Sequence, residues 1–109
     1  MIRCGVLFNS TEKINSTNYY DFINDAFIKN IYCILYKFNT DYYIILEGYQ
    51  ENIDDFLNKL STSKTIYNID IKSFLKIKEK ILKGYKFKEL DLTKENDYSL
   101  IKDLYYKNI

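Results

Sequence analysis

Ile31-Tyr32-Cys33-Ile34-Leu35-Tyr36-Lys37-Phe38, then Asn39-Thr40-Asp41, then Tyr42-Tyr43-Ile44-Ile45-Leu46-Glu47-Gly48: this stretch decides the fold. Both apolar runs are dense in β-branched and aromatic residues and meet at a polar turn, so they read as paired strands. The second runs through Gly48 into a helical pattern. Ile53, Phe56, Leu57 and Leu60 recur on one stripe there, with Asp54, Asp55 and Lys59 turned to solvent.

Working outward, Ile2 to Phe8 is a short apolar strand with Asn9-Ser10-Thr11 as its exit turn. Ser16 or Thr17 can cap a helix whose apolar positions are Tyr19, Phe22, Ile23, Ala26 and Phe27. Beyond Ser61-Thr62-Ser63 the period changes to two. Tyr67, Ile69, Ile71, Leu75 and Ile77 are expected on one face, against Asn68, Asp70, Lys72 and Lys76 on the other. Ser73 and Phe74 break the alternation, which predicts a bulge. Gly84-Tyr85-Lys86-Phe87 reads as a last strand. Glu95 to Lys107 reads as a C-terminal helix with the stripe Tyr98, Ile101, Leu104 and Tyr105.

The order is thus β-α-β-β-α-β, followed by one more strand and a helix. Two right-handed crossovers that leave both helices on one sheet face make an α+β, ferredoxin-like sandwich. The first strand is then central, between the strand ending at Gly48 and the strand from Tyr67. The far face of the sheet needs a cover, either the C-terminal helix or a second subunit. The 109 residues are expected to form a single domain, with its core at about 2–90 and the terminal helix at about 95–107.

Composition narrows the function classes. The chain has no His, so it lacks His-activated nucleophiles and His-based metal sites. A net charge of +1 provides no field for nucleic acid or acidic lipid. No membrane-length apolar run or signal-peptide layout is present. Cys4 and Cys33 fall on strands that the topology separates by one, too far apart to bridge. Buried free thiols point to a reducing, cytoplasmic setting. Enrichment in Ile, Lys, Asn, Tyr and Phe points to an A/T-rich genome, such as that of a virus or parasite.

With that order in place, the chain resembles the BLUF family of flavin-binding blue-light sensor domains over roughly residues 2–90. Tyr42 to Gly48 is similar to the family's aromatic-aromatic-Gln-x-Leu-Glu-Gly strand. Ile77-Lys78-Glu79-Lys80-Ile81-Leu82-Lys83-Gly84-Tyr85 is similar to its Ile-x-x-Arg-x-Phe-x-x-Trp segment, with Lys80 basic and Tyr85 aromatic. Leu7-Phe8-Asn9-Ser10 is similar to its Tyr-x-Ser. The resemblance implies a flavin, FAD or FMN, between helices and sheet. It places Phe8, Asn30, Ile44, Tyr85 and Phe87 at positions equivalent to the family's flavin site. Phe8 stands where the family has its relay Tyr, Ile44 where it has its Gln, and Phe87 where it has a Met. Neither Phe8 nor Ile44 can exchange a hydrogen bond with a flavin ring.

Two readings stay open on these residues. The favoured one is a packed core without a cofactor, in a non-enzymatic protein-interaction or ligand-binding module. The alternative is a flavin photosensor with a non-standard site built on Tyr42 or Tyr85. Lys83-Gly84-Tyr85-Lys86-Phe87 superficially resembles the RRM motif of RNA-binding domains, but it follows the second helix and holds Lys at the small fourth position. Lys72, Lys76, Lys78, Lys80, Lys83, Lys86 and Lys88 read as a solvated strand face. Glu47, Glu51, Asp54 and Asp55 read as carboxylates complementing a helix N-terminus. Tyr19, Tyr20, Tyr32, Tyr36, Tyr42, Tyr43, Tyr49, Tyr98, Tyr105 and Tyr106 are too many to bury, which suits a protein partner or a homodimer.

Overall fold

Strand periodicity builds one mixed sheet. The computed structural model describes residues 1–106, save the side chains of residues 101 and 104–106. Its elements are β1 (Ile2–Ser10), α1 (Tyr19–Ile28), β2 (Tyr32–Phe38), β3 (Asp41–Gly48), α2 (Gln50–Thr62), β4 (Ile66–Lys76), β5 (Tyr85–Glu89) and α3 (Glu95–Tyr106). The strand order is β4-β1-β3-β2-β5. Neighbours are antiparallel except β2 and β5, which run parallel. This is the expected ferredoxin-like arrangement with β1 central and β5 added beside β2. The expected helix end at Lys107, and the Ile101, Leu104, Tyr105 and Tyr106 side chains, lie outside the described residues.

One sheet face carries α1 and α2. Cys4, Val6, Phe8, Cys33, Leu35, Tyr42, Ile44 and Leu46 form its floor, and Ile23, Ala26, Ile53, Phe56 and Leu60 close over it. The α2 stripe is the expected one, and burying each large side chain in it stabilises the fold by about 1.5–3 kcal/mol. The far face buries Tyr36, Phe38, Tyr43 and Ile45 beneath Leu90, with Leu82, Leu92 and Leu100 packed against them. The chain's own C-terminal segment is therefore the cover. On α3 it is Leu100 that faces the sheet, whereas Tyr98 is exposed. Among the described residues, no helix is long and apolar enough to cross a membrane.

Four local expectations need correction. Asn18, not Ser16 or Thr17, stands at the N-cap position of α1, and its side chain makes no capping hydrogen bond. Asn15 and Asn18 close the preceding turn on each other: the Asn15 side-chain oxygen accepts from the Thr17 and Asn18 amides, and Asn18 Oδ1 accepts from the Asn15 amide. Phe27 sits off the buried stripe of α1 and is exposed. Gly84 precedes β5, with φ at +89°. On β4 the register shifts twice against β1, so the alternation is not continuous. Asn68, at φ +51°, takes up one shift, and Lys72, between the Ile71 and Ser73 pairs, takes up the other. Tyr67 and Leu75 consequently pair with Asn9 and Arg3, while Ile71 and Phe74 pair with Val6 and Cys4 on the opposite face.

Gly48 ends β3 where the chain returns from α1. A Cβ there would lie 3.3 Å from Ile31 Cγ1 and 3.5 Å from Ile31 Cα. Ile31 is fully buried and cannot withdraw. Gly48→Ala is expected to destabilise the protein by about 1–3 kcal/mol through overpacking, read from the urea midpoint; an unchanged midpoint would show that β2 gives way freely.

Candidate functional site

Antiparallel register brings the floor of the site together. Ile71, Val6, Ile44, Leu35 and Phe87 form one row across all five strands. Phe8 lies one row along, opposite Tyr42. Phe8, Ile44 and Phe87 thus share the helix-facing side, as the sequence implies. Phe8 and Ile44 belong to one buried cluster and Phe87 packs against its margin, with Leu35 between Ile44 and Phe87 in the row.

Phe8 and Ile44 are fully buried. The Phe8 ring is stacked between Phe22 of α1 and Tyr42 of β3, with centroids 5.3 and 5.4 Å away. Phe22 in turn meets Phe56 of α2 edge-on at 6.4 Å. The Tyr42 hydroxyl accepts the Ile14 amide at 3.0 Å, which closes the loop before α1 over the stack. Such ring geometry adds about 0.5–1.5 kcal/mol per pair beyond area burial.

The two helices above this floor are tied to each other. Asp25 of α1 takes Lys59 of α2 at 2.7 Å and Lys29 at 3.0 Å. Asn52 donates to the Lys29 carbonyl at 3.3 Å. Burial works to raise the Asp25 carboxyl, and hydrogen bonds from Lys59 and Lys29 outweigh it, so its pKa lies below the usual value.

The remaining expected positions are peripheral. Phe87 is half-buried, with its ring 5.5 Å from Tyr19. Tyr85 is half-buried between Phe27 and Tyr32, at 5.4 and 5.8 Å. Burial pushes the Tyr85 hydroxyl up. Both rings pack against the helix-side core, not on a bare sheet face as base stacking would need. Asn30 is exposed, at φ +58°, just beyond α1. It shapes the turn, and its carbonyl accepts Lys80 Nζ. Lys80 also sits over the Tyr32 ring at 4.2 Å.

Glu47 departs from its expected role. It projects to the far face, away from the start of α2, and is completely buried. One carboxylate oxygen takes Arg3 from the register-paired position on β1, with contacts at 2.6 and 2.7 Å. The other accepts the Ile81 and Leu82 amides at 2.7 and 2.6 Å, which fixes the loop before β5. The sequence reading missed Arg3. An isolated charge of each sign within apolar strands was the available signal. It also missed Lys37, which is buried on the helix side with Nζ 5.9 Å from the Tyr42 ring centre.

Cys4 and Cys33 are free and buried on either side of Leu46, two strand spacings apart. Burial pushes both thiols up to about 12, with Asp54 adding to the effect at Cys4. They are inert core residues.

Known structures share this architecture. A bacterial light-regulated adenylyl cyclase matches 95% of the chain at TM-score 0.74 and 19% identity; the chain spans 33% of its length. The dark-state structure of BlrB, a BLUF protein, matches 98% of the chain at TM-score 0.75 and 10% identity, and 87% of BlrB is covered. BlrP1 from Klebsiella pneumoniae, with FMN and cyclic diGMP, matches 96% of the chain at TM-score 0.68 and 14% identity; the chain covers 30% of it. No family model and no curated protein sequence matches the chain. The strand order, the helix pair on one face and these structural matches agree, and the chain has a BLUF-like fold.

Proposed function

We propose that the chain works as one BLUF-like domain whose flavin volume is filled by its own side chains. It would then act as a non-enzymatic protein-interaction or ligand-binding module, alone or as a homodimer. The observation that supports this reading is the Phe22–Phe8–Tyr42 stack beside fully buried Ile44. An isoalloxazine ring needs a gap lined by hydrogen-bonding groups. Here Phe8 and Ile44, at the positions of the family's relay Tyr and Gln, offer only buried apolar surface. Opening that gap would also separate α1 from α2 against the Asp25–Lys59 pair.

Absorption spectroscopy of the purified protein tests the reading, before and after incubation with FAD or FMN and desalting. The expected result is a colourless protein in both cases. Bound flavin bands would overturn the packed core in favour of the photosensor. Light scattering coupled to size exclusion reports whether the protein is a homodimer.

A further inference from the structure

We propose that the open edge of β5 takes an extended peptide strand in which apolar and acidic residues alternate. The inference deepens the protein-interaction reading and rests on it.

The backbone supplies the first argument. β5 lies at one end of the sheet and pairs only with β2. Cys33 N–H donates to the Gly84 carbonyl at 3.2 Å, and Leu90 N–H donates to the Lys37 carbonyl at 2.7 Å. In a parallel ladder, alternate residues of a strand turn both backbone groups to the same side. Between those two bonds Lys86 and Lys88 therefore face β2. Tyr85, Phe87 and Glu89 turn their N–H and C=O groups outward, and among the described residues these groups find no backbone partner.

The two edges of the sheet differ. β4, at the other end, is broken by two register shifts that blunt strand addition. β5 has an unbroken register across all its residues. Its open side is a template for one more strand.

Side chains supply the specificity. A recess of about 500 Å³ lies on the helix side of β5, lined by Tyr20, Ile23, Asn24, Phe27 and Tyr85. Tyr20 and Phe27 are strongly exposed there. A second recess of about 440 Å³ wraps the strand toward the far face, where Lys86 and Lys88 sit opposite Ile34 and Tyr36. Both lysines are exposed, and neither has an ion pair among the described residues. Glu89 is the one carboxylate on the strand. A strand laid along this edge sends successive side chains to opposite faces. One set enters the aromatic recess and the other meets Lys86 and Lys88, so the fitting partner is apolar on one face and acidic on the other.

Fluorescence anisotropy with a labelled peptide alternating Leu and Glu tests this. Controls are the same peptide with Lys for Glu, and one with the same Leu and Glu residues in two blocks. The alternating acidic peptide is expected to bind, and Lys86→Glu/Lys88→Glu to weaken it about tenfold or more. Glu89→Pro removes an outward donor at an edge position that tolerates Pro, and is expected to weaken binding about tenfold. Circular dichroism of each variant separates loss of binding from loss of fold. Equal binding of the block or Lys peptide, no binding of any peptide, or full binding by folded Glu89→Pro would overturn the proposal. So would a free protein that is dimeric until Glu89→Pro makes it monomeric, since the occupant would then be a second copy. An absorption spectrum of the same sample keeps the outcomes apart: colourless protein that ignores the peptides ends the edge proposal alone.

Discussion

Phe8→Ala is expected to lower stability by about 3–5 kcal/mol, seen as a lower urea midpoint with little change in slope. The size of the effect follows from how little the surroundings can collapse. Phe8 is fully buried, with an aromatic ring on each side at 5.3 and 5.4 Å. The sheet fixes Tyr42 beside it on the neighbouring strand, and the ties from Asp25 to Lys59 and from Asn52 to Lys29 hold α1 and α2 in place above. The space left by the ring therefore stays open, and its lining loses contact on one side. A loss below about 1 kcal/mol would mean that α1 sinks freely onto the sheet, so the helix ties would not be rigid. Phe8→Ala also tests the filled-pocket reading independently, because a vacated ring site that gained affinity for a flat apolar dye would identify the volume that Phe8 now occupies.

The second large effect belongs to Arg3. Arg3→Met is expected to cost about 3–5 kcal/mol because it strands the Glu47 carboxylate in the interior with two amides and no cation. Glu47→Leu should also destabilise, since it removes the acceptor of the Ile81 and Leu82 amides as well as the Arg3 partner. The double variant Arg3→Met/Glu47→Leu is expected to be more stable than the sum of the two losses, because it no longer buries an unpaired charge. Simple additivity in thermal or urea denaturation would show that the two groups are not energetically coupled. The loop before β5 should loosen in every variant that lacks Glu47, visible as faster amide exchange at Ile81 and Leu82.

The strand and helix skeleton was legible because it rests on periodicity. Ile53, Phe56, Leu57 and Leu60 had one reading as a helix stripe, and β1's central place followed from two crossovers. What escaped depended on shifts of a single residue. The shift at Lys72 falls beside the bulge expected at Ser73 and Phe74, one residue away, whereas the one at Asn68 was not foreseen; together they exchange the faces of Tyr67 and Leu75 relative to Ile71 and Phe74. Asn18, not Ser16 or Thr17, took the N-cap position of α1 because a paired-asparagine turn precedes the helix.

The site divided in the same way. Phe8 and Ile44 fall on one face by strand alternation, which a sequence reveals. Asn30 could be placed only after the length of the loop beyond α1 was known, and its backbone at φ +58° shows a turn residue. Glu47 looked like a helix-start carboxylate because Gly48 and α2 follow it in sequence. Strand parity instead sends its side chain to the opposite face, where Arg3 is the register neighbour.

The central place of β1 also constrains the order in which the chain can assemble. Its partners are β3, complete only at Gly48, and β4, complete only at Lys76. On a ribosome β1 is therefore without these mates while α1 and β2 are made. Meanwhile β2 and β3, joined across Asn39-Thr40, can zip locally at low loop-closure cost. A nascent chain stalled before Gly48 would present the apolar β1 without its β3 and β4 partners, so newly made protein is most exposed to aggregation in that interval.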